Sequence, residues 1–170
     1  MKSIVKGIIA FVLSQVIIDV IFGFFAFGIK HPFAFMFNTD DASGYLLASS
    51  VLFIPVYFIL GFLCAKVFKL NTKNVIVSTI ISGTVFLTGL WLFFVIAMNA
   101  DHSTVLLYAM LNIPAGWAYM PISNTAGYMN FANLFFTVLP PVAFSIGIYL
   151  WQRKTKKKQE IINMIVQDIE

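Results

Sequence analysis

Charge is what this sequence has least of. Only 11% of its 170 residues are Asp, Glu, Lys or Arg, against roughly 25% in soluble globular chains. The hydrophobic share is 60%. A chain with so few charges cannot cover its own surface with polar atoms, so lipid is its natural solvent. Cysteine is nearly absent too. The single one, Cys64, lies in an apolar run, which excludes a disulfide within the chain. Leu63 before it is not small, which argues against a lipid-modified cysteine. There is no Cys-x-x-Cys of a thiol oxidoreductase, no Gly-x-Ser-x-Gly of a serine hydrolase and no His-Glu-x-x-His of a metallopeptidase. Paired intramembrane aspartates and a nucleotide-binding motif are lacking as well. No cofactor is expected.

What the sequence has is four long apolar runs, at about residues 7–29, 45–65, 75–98 and 131–151. Each meets the roughly 20 residues that a helix needs to cross a hydrocarbon core about 30 Å thick. Helices are the expected form, because lipid offers unpaired backbone groups no partner and four strands cannot close a barrel. The first run follows Lys2 and Lys6 like a secretory signal, but it is longer than a signal's apolar core and no small-x-small cleavage site follows. It is read as an uncleaved anchor.

The basic residues give the orientation. Lys2 and Lys6 precede the first run, Lys66, Lys69 and Lys73 join the second to the third, and Arg153, Lys154, Lys156, Lys157 and Lys158 follow the fourth. Ten of the eleven basic residues therefore fall on one side, and only Lys30 on the other. Basic loops stay cytoplasmic. The expected architecture is an all-α integral membrane protein, a four-helix transmembrane bundle of residues 1–151 with both termini cytoplasmic, in the cell membrane. The pI of about 9.2 does not point to nucleic acid, since the cations flank apolar runs. They are placed to attract anionic lipid headgroups, above all at Arg153, Lys154, Lys156, Lys157 and Lys158. In the tail, 152–170, Ile161, Ile162, Ile165 and Ile169 share a helical face that suits a membrane surface or a cytosolic partner. The usage of lysine, isoleucine and asparagine resembles that of proteins from low-GC bacteria.

Within the runs, small residues mark helix contacts. Ser78, Ser82 and Gly89 share one face of the third run and Thr84 and Thr88 another, which makes this helix the expected centre of the bundle. Pro55 and Pro140–Pro141 are expected to bend the second and fourth helices, either as static shape or around a cavity.

The most informative residue is Asp19, near the middle of the first run. A charge there costs at least ~2.5–3.5 kcal/mol, so it is expected to face other helices. Gln15, four residues earlier, lies on the same face. No Lys or Arg lies inside any run. The available partners are neutral and include Tyr57 and Ser82. Three readings stand open: a cation, proton or substrate site; a contact with a basic residue of another subunit; and hydrogen-bonded packing.

The outer links hold both histidines. His31, Asp40 and Asp41 fall in the first, Asp101 and His102 in the second. They are weak candidates for a metal or acid–base site, being irregularly spaced. In the second link, the apolar stretch 104–113 is too short to span and is expected to form a short interfacial or re-entrant helix.

The leading expectation for function is a non-enzymatic accessory or regulatory subunit of a larger membrane complex, with a membrane-protein partner or a second copy bound. The alternatives are a small transporter or substrate-binding component built on Asp19, and, further behind, an intramembrane enzyme using the outer His and Asp residues.

Overall fold

The structure is a computed structural model that describes residues 2–28, 42–98 and 132–167. Among these residues the chain forms four α-helices and no strand: α1 (Lys2–Gly28), α2 (Ala42–Phe68), α3 (Lys73–Met98) and α4 (Ala132–Gln167). Two of them contain stretches long and apolar enough to cross a membrane, Ser3–Val20 in α1 and Lys73–Phe93 in α3; a shorter apolar stretch, Phe53–Phe68, lies in α2. The expected helix at 104–113 lies outside the described residues.

The helices outrun the apolar runs that announced them because lysine, arginine and glutamine are good helix formers. Nothing in the sequence from Arg153 to Gln159 breaks the backbone pattern, so α4 continues through its basic stretch to Gln167.

The turn between α2 and α3 is closed by local chemistry. Lys69 takes the left-handed conformation, with φ 53°. Leu70 N–H then bonds the Ala65 carbonyl at 3.1 Å, the long-range bond of a Schellman cap. Leu70 is fully buried and supplies the apolar contact that accompanies such caps. Across the turn, Val75 N–H bonds the Thr72 carbonyl at 3.1 Å. Gln152 of α4 donates to the carbonyls of Leu70 and Thr72 at 2.7 and 3.1 Å. The turn is thereby pinned to the fourth helix.

The helices stand in a ring in the order α1, α2, α4, α3, and the largest interface is that of α2 with α4. Small residues create it. A Cβ built on Gly61 would fall on the carbonyl of Phe144, and one on Gly147 would fall on the carbonyl of Phe58. The two backbones touch with no side chain between them. Ala65 and Ala143, each four residues away on its own helix, extend the same seam and are buried.

In the middle of the ring sits Phe11. Its ring stacks on Tyr57 of α2 at 6.4 Å and meets Phe144 of α4 edge-on at 5.5 Å. Its Cε1 lies 2.9 Å from where a Cβ on Gly83 of α3 would be. One α1 side chain thus touches the other three helices.

The sequence placed α3 at the centre, with Ser78, Ser82 and Gly89 in contact. The structure corrects both points. α3 is one member of the ring, and Gly89 is exposed with open space where a side chain would go. The inward face is Val75, Thr79, Gly83, Leu87 and Trp91. A helix apolar on all sides carries no pattern that fixes which face turns in. Here the fit of Gly83 to Phe11 and Pro141 decides it. Thr88 does make the expected kind of contact, donating to Thr137 of α4 at 3.1 Å.

The prolines lie inside continuous helices. Pro55 is exposed, whereas Pro140 and Pro141 are buried. The Pro141 ring fills the space above Gly83.

Gly61→Val inserts atoms where the Phe144 carbonyl stands, so α2 and α4 must part; overpacking of this kind costs about 1–3 kcal/mol or more. Gly89→Ala meets nothing and gains up to about 1 kcal/mol of helix propensity. Thermal unfolding of the purified protein should show Gly61→Val strongly destabilised and Gly89→Ala unchanged or slightly improved.

Candidate functional site

The polar residues singled out in α1 do meet a neighbour. Gln15 and Asp19 are one helical turn apart, and the Gln15 amide Nε2 donates to both carboxylate oxygens of Asp19, at 3.1 and 3.0 Å. The Tyr57 hydroxyl of α2 donates to Gln15 Oε1 at 2.6 Å. The result is a directional chain, Tyr57 to Gln15 to Asp19, that links two helices. Its inner members, Tyr57 and Gln15, are buried, while Asp19 is only partly buried, beside the exposed Val16 and Val20.

Tyr57 is placed by its neighbours in sequence. It lies one turn before Gly61, whose contact with α4 fixes the rotation of α2, and its ring rests on Phe11. Phe11 in turn lies one turn before Gln15, so one stacked pair sets both ends of the 2.6 Å bond. Gln15 uses its carbonyl toward tyrosine and its amide toward the carboxylate, which satisfies a buried amide from both sides.

Ser82 does not join this group. Its hydroxyl bonds the Ser78 carbonyl at 2.7 Å within α3, as serine in a helix commonly does. Of the neutral partners the sequence offered, Gln15 reaches Asp19 directly and Tyr57 reaches it through Gln15. His31, Asp40, Asp41, Asp101 and His102 lie outside the described residues. Among the described residues there is no group of three or more His, Cys, Asp or Glu side chains able to hold a metal.

Several further polar positions are buried, and of these the sequence had marked only Thr84. Ser14 is buried, donates to the Ala10 carbonyl at 2.8 Å and lies 3.5 Å from the Cys64 sulfur. Thr79 and Thr84 have buried hydroxyls, and Trp91 and Trp151 buried indole N–H groups, with no hydrogen-bond partner among the described residues. Their side chains serve packing at the expense of one polar atom each. Only the helix faces, known after packing, distinguish them from other threonines and tryptophans.

Comparison with protein-family models, with curated proteins and with solved structures finds no match. The arrangement itself defines the class at a coarse level: an all-helical protein with two helices apolar enough to span a membrane and a polar chain of three side chains linking α1 to α2.

Tyr57→Phe removes the hydroxyl that donates to the buried Gln15 Oε1, a loss of about 1 kcal/mol. Ser82→Ala removes only a local bond within α3 and should cost less than about 0.5 kcal/mol, as surface changes do. Chemical unfolding of the two variants beside the parent protein checks the ordering.

Proposed function

We propose that this chain crosses a membrane four times with both termini on the cytoplasmic side, and that it serves as a non-enzymatic accessory subunit of a larger membrane assembly. The observation that carries the membrane part is the outer surface. Val20 is 65% exposed, Val67 72%, Val85 66% and Ile96 71%, on three different helices. Ile146 on α4 is exposed as well. Polar groups such as Gln15, Ser14 and Thr137 are turned inward. A helix apolar around its whole circumference belongs in a hydrocarbon solvent.

Charge supplies the orientation. The described basic residues Lys66, Lys69, Lys73 and Arg153 to Lys158 gather at the α2–α3 turn and the continuation of α4, two places joined by Gln152. Such a cationic end belongs in the cytoplasm. At 36 residues, α4 is about 54 Å long, more than the 40–45 Å of a bilayer with its headgroups. Its last turns, with Ile161, Ile162 and Ile165 exposed, then project into the cytosol.

The accessory role is supported by how the interior is used. The touching backbones at Gly61 and Gly147 make α2 and α4 one tight pair, whereas carriers commonly move one bundle against another around a central site. Asp19 is held by Gln15 and is still partly open to the flank of the bundle. An intramembrane carboxyl there is suited to meet a donor on a neighbouring subunit's helix. The transporter reading draws on the same Tyr57–Gln15–Asp19 chain as a path for a proton.

Two experiments test this. A phosphatase fused after Glu170 should be inactive in cells and a fluorescent protein at the same place bright; active phosphatase overturns the orientation. A photo-crosslinking amino acid at Val16 or Val20 should capture a membrane protein, and Asp19→Asn should weaken that capture several-fold. Crosslinks to lipid alone, together with loss of solute or proton uptake into reconstituted vesicles on Asp19→Asn, would favour the transporter instead.

A further inference from the structure

A groove of about 820 Å³ lies between the start of α3 and the continuation of α4. Its walls carry three cations, Lys73 from α3 and Arg153 and Lys156 from α4. Its apolar part is formed by Ile76, Val77 and Tyr149. The volume falls within the usual range for a small-molecule site. Tyr149, Arg153 and Lys156 recur at helical spacing and so share a face of α4. Lys154, Lys157 and Lys158 lie off this face and do not line the groove.

A second, shallower depression of about 400 Å³ follows along α3, and Val77 lines both. It is bounded by Asn74 and Ile81 and floored by Ser78 and Ser82. These serines open the depression and add little polarity to it. They have short side chains, and the Ser82 hydroxyl is turned to the Ser78 carbonyl. From Lys73 to Ser82 the two depressions run about 14 Å along the helix, close to half of a hydrocarbon core about 30 Å thick.

We infer that the paired depressions bind one acidic phospholipid, its phosphate among Lys73, Arg153 and Lys156 and one acyl chain along Val77, Ser78, Ile81 and Ser82. The inference rests on the membrane reading above. Charge lies at the cytoplasmic end and apolar surface runs toward the bilayer centre for the depth of one leaflet, which is the polarity of a phospholipid and not of a soluble anion. Arg153 offers the planar fork that engages phosphate oxygens in pairs. Lys73 opens α3, where the helix dipole adds positive potential. The one described carboxylate close by, Glu160, reaches Lys156 at 3.9 Å, but both are largely exposed, so the pair is weak and yields to phosphate. The rim is preorganised, since Gln152 already fixes the α2–α3 turn to α4.

The test is native mass spectrometry and lipid-exchange binding on the full chain in detergent, titrated with phosphatidylglycerol and, separately, phosphatidylcholine. The parent protein should retain one phosphatidylglycerol in preference to phosphatidylcholine. Lys73→Gln with Arg153→Gln should weaken it by about ten-fold or more, at roughly 1 kcal/mol per charge. Lys157→Gln with Lys158→Gln removes the same charge outside the groove and should change it less than about three-fold, the remaining electrostatic attraction being diffuse. Ser78→Leu with Ser82→Leu, which fills the acyl depression, should weaken phosphatidylglycerol while leaving the charged end intact. Equal loss from both charge pairs would overturn the site in favour of a general attraction. No effect of the leucine variant, or competition by inorganic phosphate at millimolar concentration, would overturn the lipid as occupant. A chain that stays in solution without detergent would instead overturn the membrane reading, a result separable from the loss of lipid selectivity.

Discussion

The direct approach of two backbones, α2 at Gly61 and α4 at Gly147, constrains everything else in the bundle. Neither glycine has a side chain to yield, and each stands against a carbonyl of the other helix. The rotation of both helices is thereby set. Tyr57 then faces Phe11, and Phe144 meets the same ring from the other side. With Phe11 fixed, Gln15 comes under the tyrosine hydroxyl and presents its amide to Asp19. The polar chain is a consequence of an apolar fit. This explains how a helix pair with almost no charge positions a carboxyl group reproducibly: dispersion and shape do the placing, and hydrogen bonds complete what the shape has brought together.

The helices themselves were legible in the sequence. All four apolar runs fall within or nearly within observed helices, since a long apolar stretch in a chain this poor in charge has few other forms. Their ends were less legible. Hydrophobicity ends at Lys66 and Trp151, but helix propensity does not, and the backbone follows propensity. The left-handed Lys69 that closes α2 is a lysine where glycine is the usual signal.

Among the candidate residues, Gln15 and Asp19 were found by their four-residue spacing, and Tyr57 as one of few polar groups in its run. Phe11, Gly61, Gly83 and Gly147 were not found, though they do the positioning. In an amphipathic helix the polar face reveals the inner one. Here Val16 and Ile18 are equally apolar, yet one faces out and the other in. The distinction exists only in the shapes of the neighbours. Ser82 failed for a related reason: its hydroxyl had an acceptor one turn back in its own helix, so it had no need of Asp19.

The uninterrupted course of α4 has a mechanical meaning. From the seam at Gly147 to its last described turn at Gln167 there is a single stiff rod, and Gln152 ties the base of that rod to the α2–α3 turn. A rod transmits torsion as well as force. Anything that grips its far end and twists therefore acts as a key on a shaft, delivering the rotation to the seam with α2, where no side chain is present to absorb it.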